Sequence, residues 1–255
     1  ALVSGLSGIH RVNLAAALYE RLELPVFVIC PDDSSAESFA RDLESMTGEP
    51  VNTLYARDFT FYSSLAASRD AEQKRLSVLS TLKCGKSPLT VATVSALMQR
   101  TIPPQTLDKA AFTVTDGESC PPEELEAALL RCGYTRSEQV EGAGQFARRG
   151  GIIDFFSPSY PEPVRIEFWG DDIDSMGFFD VRTQRRTEAV ETCRILPAAE
   201  SLVTLAAGGE ETLCGALTAA ADKCARHKSS SQLNELEGTL RSDIERIRNG
   251  VKLEY

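Results

Sequence analysis

Apolar positions in the first hundred residues fall into short blocks separated by stretches of helical spacing. Residues 25–30 (PVFVIC) are continuously apolar and rich in β-branched side chains, the pattern of a strand buried on both faces. Residues 51–55 and 89–94 (LTVATV) repeat it, and Ala1-Leu-Val3 reads as a further, shorter strand end. Between these blocks Val12, Ala15, Ala16 and Tyr19 recur at helical spacing. Phe39 and Leu43 do the same in a helix expected at about 35–46, capped by the Pro31-Asp-Asp-Ser34 run. Residues 69–82 read as helix, 95–99 as a short helix, and 58–68 as a loop rich in aromatics. Strands alternating with helices predict an α/β layer with parallel strands.

The pattern changes at Pro103-Pro104. A short helix is expected over 121–132, with proline in its first turn. Gly-rich and aromatic strands follow at 138–141, 145–148, 151–156, 164–169 and 173–180. The 157–163 segment (SPSYPEP) is too proline-rich for regular structure. Helical spacing returns at about 209–227 and 231–249. The expected organisation is an α/β domain begun by residues 1–111, a small α+β domain inserted at 112–196, and a helical return to the first domain over 197–255.

Charge and composition narrow the function. The net charge of −10 disfavours broad, sequence-independent nucleic-acid binding, which runs on phosphate neutralisation by Lys and Arg. No apolar run approaches the roughly 20 residues that span a bilayer, so no membrane contact is expected. Seven cysteines without a CxxC pair suit free thiols in a reducing cytoplasm better than disulfides or zinc. Asp171-Asp-Ile-Asp174 is expected to stabilise a turn rather than to hold a metal. The chain starts without Met and stops after Lys252-Leu-Glu-Tyr255, as a piece of something longer would.

Two segments carry candidate chemistry. Gly5-Leu-Ser-Gly8-Ile9-His10-Arg11-Val12 lies between an expected strand and helix, where a phosphate-binding loop would sit. A working loop reads G-x-x-x-x-G-K-[ST], but the diagnostic places here hold His10, Arg11 and Val12, and Val12 has no oxygen for Mg²⁺. The second segment lies in a region with no lysine between Lys109 and Lys223 but nine arginines from Arg131 to Arg194. Arginine offers a planar fork for carboxylates and stacks on aromatics, and interfaces favour Arg and Trp. Alternation along Arg165-Ile-Glu-Phe-Trp169 puts Arg165, Glu167 and Trp169 on one strand face, with Ile166 and Phe168 turned to the core. Arg149 precedes a Gly150-Gly151 bend that brings it beside that face. The competing expectations are a partly buried core Trp and simple surface pairing of Arg148 or Arg149 with Asp154 or Glu167.

Gly144-Gln-Phe-Ala-Arg-Arg-Gly-Gly-Ile-Ile-Asp-Phe-Phe156, Arg165-Ile-Glu-Phe-Trp-Gly-Asp-Asp-Ile-Asp174 and Phe179-Asp-Val-Arg-Thr-Gln-Arg185 together resemble one family. It is the N-terminal, UvrB-like region of the bacterial transcription-repair coupling factor, Mfd. Val91-Ala-Thr-Val-Ser95 looks like a matching strand. The resemblance implies a degenerate P-loop (RecA/Rossmann-like) parallel-sheet domain with an inserted α+β domain that binds UvrA. It implies partner-binding roles for Arg149, Arg165 and Trp169, where the family usually has Phe at the last place. It implies a degenerate phosphate loop at Gly5, Gly8, His10, Arg11 and Val12, and no cofactor, catalytic residue or metal in this piece. The family's ATP-dependent DNA translocase, and its contacts with RNA polymerase and double-stranded DNA, lie in regions downstream. UvrB itself has an intact loop and a long aromatic DNA-gripping hairpin, for which the 55–70 region, with Tyr55, Phe59, Phe61 and Tyr62, is too short. The alternative expectation is a divergent UvrB-like nucleotide- or DNA-binding ATPase module, with Arg11 replacing the loop lysine.

Overall fold

The computed structural model describes residues 2–22, 24–57, 69–85, 89–226 and 230–249. Its first part runs α1 (Gly8–Leu22), β1 (Val26–Cys30), α2 (Asp33–Thr47), β2 (Asn52–Leu54), α3 (Arg69–Lys83), β3 (Leu89–Thr93) and α4 (Val94–Met98). The three strands are parallel in the order β1-β3-β2, and β3, in the middle, is buried along its whole length. Central position explains why its sequence shows no alternation. On one face Val12, Ala15 and Ala16 of α1 and Leu43 of α2 pack on Leu89, Val26 and Val28. The Asp32 carboxylate caps α2 by accepting from the Ser35 N–H at 2.8 Å, and that bond lowers its pKa. Gly48, at φ 71°, ends the same helix in the left-handed conformation.

Two expectations for this part are corrected. Leu2 and Val3 form no strand, and Leu2 is 96% exposed. A segment becomes a strand only when a neighbour takes up its backbone groups, and among the described residues β1 pairs with β3 alone. The double proline does not merely break the pattern: Pro104 opens another helix, α5 (Pro104–Ala110), at the first-turn position proline tolerates. The expected loop at 58–68, with its aromatics, lies outside the described residues.

The next part runs β4 (Phe112–Thr115), α6 (Pro122–Arg131), β5 (Thr135–Arg136), β6 (Gln145–Arg149), β7 (Ile152–Phe155), β8 (Val164–Trp169), β9 (Asp172–Phe179), β10 (Arg186–Ala189) and β11 (Thr192–Ile195). Six strands form one sheet in the order β10-β9-β8-β7-β6-β5, antiparallel except for β5 with β6. β4 and β11 pair with each other, Phe112 opposite Ile195, so the entry and exit of this segment lie side by side. The molecule is thus mixed α/β, with one parallel and two largely antiparallel sheets.

The strand expected at 138–141 is absent. Val140 there is a fully buried plug against Ala147 and Phe179, and the short strand is instead Thr135–Arg136. β10 and β11 were not anticipated. All four β10 residues are exposed, so no apolar alternation marks it in the sequence.

One sheet face carries the main core. Leu125 and Leu129 of α6 pack on Phe146, Ile153, Phe155, Val164, Ile166, Ile173 and Met176. Ile173 and Met176 are three residues apart yet share that face. The register shift opposite Glu167 and Phe168 inserts the extra residue that makes this possible.

A polar seam ties α3 to the segment after β11. The Arg75 Nε donates to Glu200 at 2.5 Å, both side chains being almost wholly buried, and Arg75 Nη1 donates to the Tyr55 carbonyl. Gln73 donates to the Ala198 carbonyl, and Glu72 accepts from the Glu200 N–H. Burial pushes the Glu200 carboxyl up, and nearby Arg75 and Arg57 oppose that shift. Beyond the seam, α7 (Gly209–Ala225) and α8 (Ser231–Arg248) form an antiparallel hairpin around Cys214, Ile244 and Ile247, close to the helices expected there. No helix among the described residues is long and apolar enough to cross a membrane.

Candidate protein-docking face

The sheet face opposite α6 is built by strand alternation. Phe146 and Arg148 of β6 turn toward α6, where Arg148 pairs with Glu123 at 2.5 Å and Glu126 at 3.1 Å. Ala147 and Arg149 therefore point the other way. In the ladder Arg149 sits opposite Ile152, Ile152 opposite Glu167, and Asp154 opposite Arg165. One open face thus gathers Arg149, Ile152, Asp154, Arg165, Glu167 and Trp169. The three residues expected to bind a partner are brought together on it.

Two tight turns at one end of the sheet set the positions of Arg149 and Trp169. Gly150, at φ 61°, and Gly170, at φ 65°, each take the first central position of a two-residue hairpin, a conformation that side chains rarely adopt. The Phe168 N–H donates to the Gly151 carbonyl at 2.8 Å, so the glycine turn lies against the end of β8. No side chain from that turn covers the indole. Trp169 is 82% exposed, which removes the expectation of a core tryptophan.

Asp154 organises the centre of the face. It is 1% exposed, and its two oxygens accept from Arg165 Nε at 2.7 Å and Nη2 at 2.8 Å. Arg149 Nη2 adds a third bond at 3.2 Å. Arg165 also donates to the Gln184 carbonyl at 3.2 Å, and its guanidinium lies over the Phe179 ring at 4.6 Å. The bond to Asp154 holds the Arg165 guanidinium above its usual range. The two arginines differ in what they leave free: the Arg165 side chain is 18% exposed and the Arg149 side chain 53%. Arg149 is therefore the more exposed cation of the face, held by a single bond, and Arg165 the one held by several.

Gln184 has φ 58°, the only non-glycine positive value among the described residues, at the tip of the turn that meets Arg165. Sequence reasoning passed over Gln184, Phe179 and Ile152. It weighed Asp154 only as a possible surface partner, although strand register alone sets it opposite Arg165.

The Gly5–Val12 loop lies apart from this sheet, at the start of α1. The Ser7 carbonyl accepts from the His10 and Arg11 N–H groups, and the Ser7 hydroxyl meets His10 Nδ1 at 3.0 Å. Arg11 Nε donates back to the Leu6 carbonyl at 3.0 Å. Gly5 has φ 78°, and helix begins at Gly8. Val12 is 2% exposed and packs in the α1/α2 core.

A largely antiparallel sheet backed by α6, with arginines and an exposed tryptophan on its other face, carries the residue types favoured at protein contacts. The family described as the UvrB interaction domain matches residues 112–200, the segment that forms this sheet. The transcription-repair-coupling factor of Myxococcus xanthus is 33% identical over 208 residues, 78% of this chain and 17% of that protein. That of Bacillus subtilis is 30% identical over 252 residues, 98% of this chain and 21% of the relative. The Escherichia coli protein is 32% identical over 199 residues, again 78% and 17%. The chain belongs to the transcription-repair-coupling factor family of DNA-repair proteins and corresponds to its N-terminal region. It spans about a fifth of the length of the curated relatives it matches.

Proposed function

We propose that this chain is the UvrA-recruiting module of a transcription-repair coupling factor, serving transcription-coupled nucleotide excision repair in the cytoplasm. Arg149, Arg165 and Trp169 dock UvrA on the open face of the sheet. The observation that carries this reading is the exposed Trp169 on the same sheet face as Arg149 and Arg165, the face turned away from α6. Aromatic and arginine anchors are the residue types that dominate binding energy at protein interfaces. The pairing of β4 with β11 supports reading 112–196 as a domain inserted between residues 1–111 and 197–255.

The first domain is a degenerate P-loop fold that does not hydrolyse ATP. Its parallel strands support the fold, and the buried Val12 supports the loss of activity, since a loop without a hydroxyl there lacks its Mg²⁺ ligand. In the longer protein, translocation on DNA and contact with RNA polymerase belong to other regions.

Trp169 is the chain's only tryptophan and therefore its own reporter. Adding UvrA should shift its emission to shorter wavelength as the indole leaves water, and Arg149→Glu should weaken that titration. Unchanged emission at saturating UvrA, or an Arg149→Glu chain of wild-type affinity, refutes the docking face. A melting temperature raised by Mg-ATP, or hydrolysis by the purified chain, favours the ATPase alternative instead.

A further inference from the structure

We infer that Asp154 is the positioning residue of the docking face, holding Arg149 ready for a carboxylate on the partner. The inference rests on the UvrA-docking reading and adds a relay to it. At its inner end, Gln184 and the Phe179 ring fix Arg165. Arg165 then fixes Asp154 by taking both of its oxygens, at 2.7 and 2.8 Å. Asp154 in turn reaches Arg149 through one oxygen only, at 3.2 Å.

The asymmetry of the two bonds matters. A buried carboxylate left without a cation is costly, so a lone Asp154–Arg149 pair would resist any partner that pulled the arginine away. Here the two-point bond from Arg165 neutralises Asp154 whatever Arg149 does. Arg149 is thus aimed along the face by a weak bond and released at little cost. Two guanidinium groups share the Asp154 carboxylate; on the same face Glu167 adds a negative charge and Arg186, which donates to Ser175, a positive one, so one positive charge stays in excess and a carboxylate is the group that matches it. A partner patch with an acidic side chain set beside an apolar slot for Trp169 fits this arrangement. Glu167, on the same face, is hydrogen-bonded by the Ser175 hydroxyl and lies between Arg165 and Trp169 along β8.

A double-substitution cycle tests the relay. UvrA affinity is measured by calorimetry for the chain, for Asp154→Asn, for Arg149→Gln and for both together, with melting temperatures recorded alongside. Asparagine has nearly the shape of aspartate but presents an N–H₂ where an arginine needs an acceptor. Asp154→Asn should weaken binding by about tenfold, and in the Arg149→Gln background the same change should cost less, with a coupling on the order of fivefold. A purely structural role would give additive losses, so coupling within about twofold overturns the relay.

Should Asp154→Asn melt below the assay temperature, the cycle is run with Gln184→Gly instead, which removes the Arg165 Nη2 bond to the Gln184 side chain at a position whose positive φ suits glycine and leaves the buried carboxylate paired. Weaker binding that is non-additive with Arg149→Gln is expected, and additive losses overturn the relay. Trp169→Ala is the control that separates the two readings. A chain that binds UvrA and loses affinity on Trp169→Ala, yet shows additive effects at 154 and 149, refutes the relay and leaves the docking face standing. A chain that does not bind UvrA refutes both.

Discussion

Replacing Trp169 with alanine should abolish most of the proposed docking while leaving the fold untouched. An aromatic of this size presents about 200 Å² of surface. With 82% of the residue exposed, about 160 Å² remains for a partner to cover. At about 25 cal/mol per Å² the ceiling on its contribution to binding is about 4 kcal/mol. Ordering of the side chain and imperfect packing reduce that figure, so a loss of about 2–3 kcal/mol is expected, or roughly 30- to 150-fold in affinity. The small buried remainder of the indole is worth under about 1 kcal/mol to folding, a shift of no more than about 2–4 °C in melting temperature for a chain of this size. Calorimetric titration with UvrA measures the first quantity, and thermal melting followed by far-ultraviolet circular dichroism the second. Affinity within about twofold of wild type refutes the placing of Trp169 at the centre of the interface. A melting temperature lowered by 8 °C or more would mean that the indole is part of the fold.

Three further perturbations probe the scaffold. Arg75→Ala should cost roughly 3–5 kcal/mol in denaturant-induced unfolding, because it leaves Glu200 buried without its cation; an Arg75→Met/Glu200→Leu pair should recover most of that loss. Gly177→Ala should destabilise by about 1–3 kcal/mol, since a Cβ there would stand 2.6 Å from the Glu188 carbonyl oxygen and collide with the Arg186 guanidinium lying across the sheet, and a wild-type melting curve would contradict this packing. In the native chain, the exposed Cys84 should be alkylated by iodoacetamide at pH 8 while Cys193 resists, because burial pushes the Cys193 thiol up to about 12; mass spectrometry of the labelled peptides decides between protection and reaction.

The sequence by itself determined the elements that announce themselves locally. Apolar β-branched runs mark β1 and β3, although β1, expected to be buried on both faces, lies at the edge of the described sheet and leaves Phe27 and Ile29 exposed. A helical stripe with an Asp cap marks α2, and the alternation at 164–169 marks β8 with Trp169 on the face away from Ile166. It also determined what the Gly5–Val12 loop lacks, since a missing hydroxyl is visible in the letters. Local signals failed where pairing, not propensity, decides structure. Leu2 and Val3 have strand-like side chains but no neighbour to bond, β10 pairs on an edge with all its residues exposed, and Val140 is held by tertiary packing without a strand.

The proposed docking face lies between these cases. Alternation placed Arg165 and Trp169 on one face, but only the register of β6, β7 and β8 brought Arg149 and the buried Asp154 to the same spot. Tertiary structure also assigned the two arginines different work. Both are equally charged in the sequence, yet one is clamped by a buried carboxylate, an aromatic ring and a backbone carbonyl, while the other stays half in water. Which of them a partner can draw away depends on that difference in desolvation and bonding, and it exists only once the sheet has formed.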